Sequence, residues 1–243
     1  MRPVFSGFAL AVSMLTTLPF FRVHDFFKGI NGYAVMFYPL VGALLGALLW
    51  GVYLLLLPAF PETHLKLLLL FLWVMLTGAL HLDGFADTVD GLFVPKEKAE
   101  AVMKDPHVGG MGMIFTAAFL LLKASALWHL EALWALPAVL MLARYNAVLA
   151  IYFYPYIRES GMGSLAKAEF TRGRLAGATL TVASLLLFVP QGWALLAAAG
   201  IVLLITGAFF TRRLGGFSGD VYGFLVEVTE VALLNLLLIG AAS

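Results

Sequence analysis

The sequence predicts an all-α membrane protein: a polytopic bundle of about seven transmembrane helices, preceded by an apolar helix at the amino terminus. Of the 243 residues, 62% are hydrophobic and only 12% are charged, whereas soluble domains carry about 25% charged residues. Apolar runs recur from end to end and are separated by short polar joints. We therefore expect one integral membrane domain, residues 1–243, in a lipid bilayer.

Charge and cysteine content exclude several classes of function. The formal net charge of +1 gives no basic excess of the kind that nucleic-acid-binding proteins show. The chain has no cysteine, so disulfides, thiolate metal sites and cysteine nucleophiles are excluded together.

The individual helices follow from apolar length. Residues 3–20 have an early arginine and an apolar centre, but no small-x-small cleavage site follows, so we keep them in the mature chain as a spanning or re-entrant helix. A spanning helix needs about 20 mostly apolar residues. Seven later segments meet or approach that length: 34–57, 65–80, 112–130, 133–153, 175–189, 193–210 and 221–239.

Loop charges orient this bundle. Alternate joints carry nearly all the lysine and arginine residues, while the joints between them are almost uncharged. Because lysine and arginine are retained in the cytoplasm, the basic joints are expected on the cytoplasmic side. The basic set is Arg22 and Lys28, then Lys96, Lys98 and Lys104, then Arg158, Lys167, Arg172 and Arg174, then Arg212 and Arg213.

The motif HLDGFADTVDG, residues 81–91, ends an apolar run at the predicted cytoplasmic face. On a helix, Asp87 lies about 40° from Asp83, and Asp90 lies about 20° to the other side, so the three carboxylates share one face. Such crowding near lipid requires a neutralising partner. Carboxylate oxygens suit Mg²⁺ or Mn²⁺ bound to a diphosphate. The alternative is a turn or cap at Asp83 with a solvated acidic edge, and His81 could be a simple hydrogen-bonded residue.

The next joint, MKDPHVGGMG, offers groups suited to phosphate. Its glycines precede a helix, where free N–H groups attract anions. It lacks the glycine-lysine-serine/threonine sequence of a P-loop, and a plain turn is equally compatible with it. The candidates are Lys104, Asp105, His107, Gly109, Gly110 and Gly112.

Further charged and polar residues interrupt three apolar spans. Arg144 and Asn146 lie in the fourth, and a buried arginine must find a phosphate, the aspartates or a structural partner. Asp220 and Glu227 lie seven residues apart in the last span, with Glu230 beyond them. These acids could complete a second metal position or pair with Arg144 as scaffold. Lys123 is expected only to snorkel toward the uncharged side.

The motifs HLDGFADTVDG, MKDPHVGGMG, ARYNAV and SGDVYGFLVEVTE, in this order, resemble the cobalamin synthase family, the adenosylcobinamide-GDP ribazoletransferases. TTLPF and FYPLVGALLG resemble its amino-terminal pattern, so the likeness covers nearly the whole chain. It implies an enzyme of the bacterial inner membrane, active on the cytoplasmic face, that joins adenosylcobinamide-GDP to α-ribazole or α-ribazole 5′-phosphate. The products are adenosylcobalamin or its 5′-phosphate, and GMP.

The residue chemistry and the resemblance together give expected roles for the candidates. Mg²⁺, with Mn²⁺ as substitute, is expected on Asp83, Asp87 and Asp90, with Asp220 and Glu227 as further ligands. His81, Lys104, Gly109, Gly110, Arg144 and Asn146 are expected to bind substrate. The aspartates of the motif, Asp105 and His107 are the catalytic candidates, and one acid would accept the proton of the attacking hydroxyl.

Two other functions are also compatible with the sequence. Clustered aspartates at a membrane edge also serve Mg²⁺-dependent CDP-alcohol phosphotransferases and prenyltransferases, and acids in spans can bind the coupling ion of a transporter. Against a transporter, the acids cluster at one face and no paired broken helices divide the chain into halves. The sequence leaves the oligomeric state open, a homo-oligomer included.

Overall fold

A computed structural model describes residues 2–19, 23 and 26–239, and it confirms the all-α class. Arg22, one of the predicted cytoplasmic charges, lies outside the described residues, as do residues 240–243. Within the described residues the only extended pairing is a parallel bridge between Tyr156 and Phe217. The helices are α1 Arg2–Leu15, α2 Ile30–Leu56, α3 Glu62–Thr77, α4 Leu80–Leu92, α5 Lys96–Val102, α6 Gly110–His129, α7 Leu136–Phe153, α8 Met162–Glu169, α9 Arg172–Leu186, α10 Gly192–Leu214 and α11 Gly219–Ile239.

Five helices are long and apolar enough to cross a membrane, and α3 with α4 makes a sixth if the bent pair is counted as one span. This is fewer than the seven predicted spans. The segment predicted at 175–189 becomes α9, whose 15 residues extend about 22 Å against a hydrocarbon core of about 30 Å. Helix α1 is also short, since it ends at Leu15.

The α3–α4 bend redirects the chain at the motif of aspartates. Gly78 and Ala79 both adopt left-handed backbone conformations, with φ of 59° and 56°, and α4 then leaves at 84° to α3. A left-handed residue after the last helical turn ends a helix. Two in succession allow α4 to start in a new direction. The predicted span 65–80 is therefore broken here, and α4, with 13 residues, does not cross the bilayer by itself.

Helix α7 is the centre of the bundle. In the span that contains it, Leu133–Phe153, 78% of the most apolar window is buried, against 22% in α6. Helix α2 packs closely on α7 because Gly42 and Gly46 are one turn apart and face its backbone, Gly46 opposite Pro137. Small residues at this spacing allow helix backbones to approach each other in membranes.

The outer surfaces of the spans are apolar. Large side chains such as Leu55, Phe71, Leu121, Leu204 and Ile205 are each more than half exposed. A soluble protein rarely exposes so much contiguous apolar surface. These surfaces are suited to contact with lipid acyl chains, and the chain is an integral membrane protein.

The basic joints lie together at one end of the bundle. Asn31 donates to Glu169 from its backbone and its side chain, at 2.9 and 3.0 Å. Ile157 donates to the carbonyl of Phe217 at 2.9 Å. Arg213 donates to the carbonyl of Val94 at 2.6 Å. These contacts link the first basic joint to the third, the third to the fourth and the fourth to the second, as the alternation of charge predicts.

Candidate active site

The site forms where α4 crosses the start of α11. A Cβ added to Gly84 would lie 2.9 Å from the carbonyl oxygen of Asp220, and one added to Gly223 would lie 3.1 Å from that of His81. Because neither glycine has a side chain, the two helix backbones approach closely. This crossing brings the carboxylates of α4 beside Asp220.

Three carboxylates at this crossing, Asp83, Asp87 and Asp220, form what we call the acid ridge. Partial burial, followed by the charges of Asp83, Asp220 and Asp90, raises the pKa of Asp87 to about 6. Arg158 opposes this effect. The negative charge of neighbouring carboxylates favours the protonated form of Asp87. The same negative charge would attract a cation. The acid ridge therefore carries more negative than positive charge. It lies outside the apolar centres of the five spans.

Arg158 reaches the ridge from the third basic joint. Its guanidinium forms an ion pair with Asp220, and both side chains are 18% exposed. The bridge between Tyr156 and Phe217 positions it, since Phe217 also donates to the carbonyl of Pro155 at 2.9 Å. In the sequence Arg158 is one of the basic charges of the third joint, and its contact with Asp220 is not predicted. Two joints far apart in sequence create this contact, and no local pattern marks it.

Asp90 differs from the other acids of its motif. Its carboxylate accepts hydrogen bonds from the backbone amides of Gly109 and Gly112, both at 2.7 Å. A carboxylate in this position caps the amino terminus of α6. Two of the N–H groups predicted to cradle a phosphate, those of Gly109 and Gly112, are thus bonded to Asp90, and metal ligation by Asp90 stays a prediction. Gly110 has open space around its Cα.

A cavity of about 300 Å³ opens beside the ridge. Helices α1, α2, α4, α7, α8 and α11 all contribute to its wall. Of the predicted site residues, His81, Asp83, Arg144 and Asp220 line it. Apolar side chains make up most of the remaining wall, among them Met14, Leu15, Leu80, Ile151 and Val226.

Three polar side chains of the cavity wall have buried atoms without a hydrogen-bond partner: Nδ1 of His81, Nε and Nη2 of Arg144, and the hydroxyl of Tyr222. These residues are 6%, 1% and 8% exposed. Buried polar atoms are nearly always paired in native structures, because each unpaired one costs about 1–3 kcal/mol. Such a cluster at a cavity indicates a place for a polar ligand.

Below the cavity, four charged residues form a buried network. Arg144 pairs with Glu230, and Lys123 pairs with Glu230 and, at 2.8 Å, with Glu227. The Lys123 ammonium also lies 4.1 Å from the centre of the Trp73 ring. Two cations balance two carboxylates here, and Glu227 pairs with Lys123 as scaffold; metal ligation by Glu227 stays a prediction. Lys123 does not snorkel. The sequence signal for this pairing is the presence of two acidic and two basic residues within apolar spans, where charges need partners.

The loop before α6 presents its predicted residues to solvent. Lys104 pairs with Glu100 at 2.6 Å, and the side chain of His107 is 89% exposed. Hydrogen bonds from the backbone and ring of His107 lower the pKa of Asp105. None of the three lines the cavity. Gly109, at the end of this loop, donates its amide to Asp90 of α4.

Asn146 also lies away from the cavity. Its side-chain amide donates to the carbonyl of Ala199 at 2.8 Å and to the hydroxyl of Thr229 at 3.0 Å. Residues 144 and 146 are about 200° apart on a helix, so they face different neighbours. Both amide hydrogens of Asn146 tie α7 to α10 and α11, which leaves neither for a substrate.

The ridge suits a divalent cation by its chemistry. Among residues 2–19, 23 and 26–239, no group of three or more His, Asp or Glu side chains is arranged as a ready metal site. Asp83, Asp87 and Asp220 nevertheless offer hard oxygen donors, and Arg158 is the described cation that pairs with them. Mg²⁺ needs only one or two carboxylates when substrate phosphates and water complete its shell.

The comparisons with known proteins point to one family. A family model described as cobalamin-5-phosphate synthase matches residues 7–238. The adenosylcobinamide-GDP ribazoletransferase of Desulforamulus reducens is 38% identical over 98% of both chains. That of Stutzerimonas stutzeri is 41% identical over 93% of this chain and 94% of the relative, and that of Thermosynechococcus vestitus is 39% identical over 84% and 86%. No solved structure matches the chain.

Proposed function

This chain belongs to the cobalamin-5-phosphate synthase family, and from that membership we propose that it joins adenosylcobinamide-GDP to α-ribazole or α-ribazole 5′-phosphate. The products are adenosylcobalamin or its 5′-phosphate, and GMP, in a late step of cobalamin biosynthesis. The observation that carries the proposal is the family match over residues 7–238, which includes the whole acid ridge. The relatives named for this reaction cover 84% or more of the chain.

The reaction needs one bond to form and one to break. A ribose hydroxyl attacks the phosphorus that carries the cobinamide, the bond from that phosphorus to the oxygen of GMP breaks, and the hydroxyl proton passes to a base. Asp83 lines the cavity beside the ridge, so we assign it as the proton acceptor. Asp105 is less suited because it lies on the exposed loop, bonded to His107.

Asp87 and Asp220 would hold Mg²⁺, with Mn²⁺ as substitute, which leaves Asp83 free to accept the proton. When bound there, the ion would supply Lewis-acid stabilisation of charge on the diphosphate. Arg158 is positioned to offset the charge on the phosphoryl oxygens, since its Nε has no hydrogen-bond partner while its Nη2 contacts Asp220. The exposed side chains of Lys104 and His107 would contact the part of the large GDP-linked substrate that extends from the ridge.

We further propose that the protein lies in the bacterial inner membrane with the ridge on the cytoplasmic side, because the basic joints surround it. The natural chain has no cysteine, so single cysteines report position cleanly. Cysteine at Lys98 should react with an impermeant maleimide only from the cytoplasm, and cysteine at Thr63 only from the opposite side. Reversed labelling would contradict the proposed orientation. It would not bear on the proposed reaction.

The reaction is tested directly with purified protein in detergent. With Mg²⁺, adenosylcobinamide-GDP and α-ribazole we expect GMP release, and with EDTA we expect none. CDP-diacylglycerol with a small alcohol serves as control and should give no CMP, because CDP-alcohol transferases share the clustered aspartates. CMP release without GMP release from folded protein would replace the proposal with that activity.

A further inference from the structure

We propose that the cavity of about 300 Å³ is the binding site of the nucleoside acceptor, and that the hydroxyl of Tyr222 and the free nitrogens of Arg144 and His81 bind its polar part. The ligand class is a nucleoside, or nucleoside 5′-phosphate, with an apolar aromatic base. This inference rests on the proposed function and specifies which of the two substrates the cavity holds.

Volume separates the two substrates. Small-molecule sites usually measure about 300–1,000 Å³, and this cavity is at the lower end of that range. A nucleoside with a bicyclic base fits such a space, whereas a corrinoid that also carries GDP is several times too large. The larger substrate must therefore remain at the open end, where the ridge and the basic joints lie.

The lining matches a molecule with one apolar and one polar end. One side of the cavity is an apolar wall, formed by Leu15, Leu80, Ile151 and Val226. An aromatic base packed against this wall would be removed from water, which is favourable. The hydroxyl of Tyr222 and the nitrogens of Arg144 and His81 provide hydrogen-bonding groups. A lipid acyl chain would leave these polar groups unpaired, and a sugar alone would leave the apolar wall unmatched.

The position of the cavity also fits the reaction. Asp83 and Asp220 belong both to the cavity wall and to the ridge. A nucleoside in the cavity would thus present its ribose hydroxyl at the carboxylates where the diphosphate is held. The two substrates would meet at the ridge from opposite directions, which in-line displacement at phosphorus requires.

The first test removes one polar group without changing shape. Tyr222→Phe deletes a hydroxyl that has no protein partner and keeps the ring that stacks on Phe217, 5.5 Å away. We expect the Kd of α-ribazole, measured by equilibrium dialysis on the full chain in detergent, to rise about three- to tenfold, as loss of one hydrogen bond would give. Tyr145→Phe is the matched control, because that hydroxyl bonds Thr179 away from the cavity; its Kd should not change.

The second test fills the cavity. Ala147 lies on the cavity wall, so Ala147→Leu should raise the Kd of α-ribazole at least about tenfold. Ala197→Leu makes the same substitution at an exposed position of α10 and should leave the Kd unchanged. Dialysis with α-ribazole 5′-phosphate in parallel shows whether the same cavity accepts the phosphorylated form. We expect Ala147→Leu to raise the Kd of both ligands by the same factor.

Binding is measured without Mg²⁺ and without the GDP-linked substrate, so it does not depend on turnover. Wild-type Kd values retained by both Tyr222→Phe and Ala147→Leu would overturn the cavity assignment, even if the enzyme releases GMP. Failure of wild-type protein to release GMP would instead overturn the proposed function. Weaker nucleoside binding in both variants, with an unchanged thermal midpoint in Tyr222→Phe, would support the assignment.

Discussion

Two groups of charged residues lie in this protein, and they are opposite in balance. The buried network of Lys123, Arg144, Glu227 and Glu230 pairs two cations with two carboxylates. The acid ridge of Asp83, Asp87 and Asp220 has one described cationic partner, Arg158. Charges within a bundle are tolerated when they are paired, and the charges of the network balance as folded. The charges of the ridge do not balance, and we propose that its excess of carboxylates binds a cation from outside the chain.

This contrast separates scaffold from chemistry. Both groups contain acids in or beside α11, and in sequence Asp220 and Glu227 look alike, seven residues apart. Their partners distinguish them: Glu227 bonds Lys123 on α6, whereas Asp220 meets the carboxylates of α4. Neutralising a ridge acid should therefore affect turnover, and neutralising a network acid should affect folding.

The largest effect is expected at the ridge. Asp87→Asn should lower kcat for GMP release about 10³-fold or more, about 4 kcal/mol in activation free energy, because it removes a carboxylate from the proposed Mg²⁺ site. The thermal midpoint should be unchanged or slightly higher, since repulsion with Asp83 and Asp220 is relieved. Asp105→Asn is the control on the exposed loop and should retain activity within about threefold. Full activity of Asp87→Asn would mean that the ridge is not the catalytic centre.

The network should show the reverse pattern. Glu230→Gln leaves Lys123 and Arg144 with only Glu227 as a carboxylate partner, and breaking a buried ion pair costs about 3–5 kcal/mol. We expect a lower thermal midpoint and a lower yield of folded protein, measured by fluorescence-detected size exclusion after heating. Glu131→Gln, at an exposed position, should match the wild type. A stable but inactive Glu230→Gln variant would place Glu230 in the chemistry.

Competition between protons and Mg²⁺ at Asp87 gives a smaller effect. The pKa of Asp87 is raised to about 6, so the carboxyl is mostly ionised at pH 7 and mostly protonated at pH 5. Because Mg²⁺ binds the ionised form, its half-saturating concentration should rise about tenfold between these pH values. For a carboxyl with an ordinary pKa near 4, the rise would be about 10%. A flat response in a titration of GMP release against Mg²⁺ would contradict the proposed ligation by Asp87.

Periodicity and charge alternation predicted the all-α bundle and the common end of the basic joints, since both depend on local composition. Five or six helices meet the length of a span against the seven predicted, because α9 is short and because the bend at Gly78 and Ala79 depends on two backbone conformations that hydropathy does not record. The shared face of Asp83 and Asp87 follows from helical spacing alone. The roles of Asp90, Asn146, Arg158 and Lys123 do not, because each is fixed by a partner at least 19 residues away in sequence.

The smallest effect is expected on the exposed loop, and it tests how far the site extends beyond the ridge. Lys104→Gln breaks only an exposed pair with Glu100, so the free energy of unfolding should fall by no more than about 0.5 kcal/mol. If Lys104 contacts the part of adenosylcobinamide-GDP that extends from the ridge, KM for that substrate should rise about two- to fivefold with kcat unchanged, because a contact made equally in ground and transition states affects only binding. Lys98→Gln, on the neighbouring helix α5, serves as control for the loss of one positive charge. Equal KM values in the two variants would limit the substrate contacts to the ridge, the cavity and Arg158.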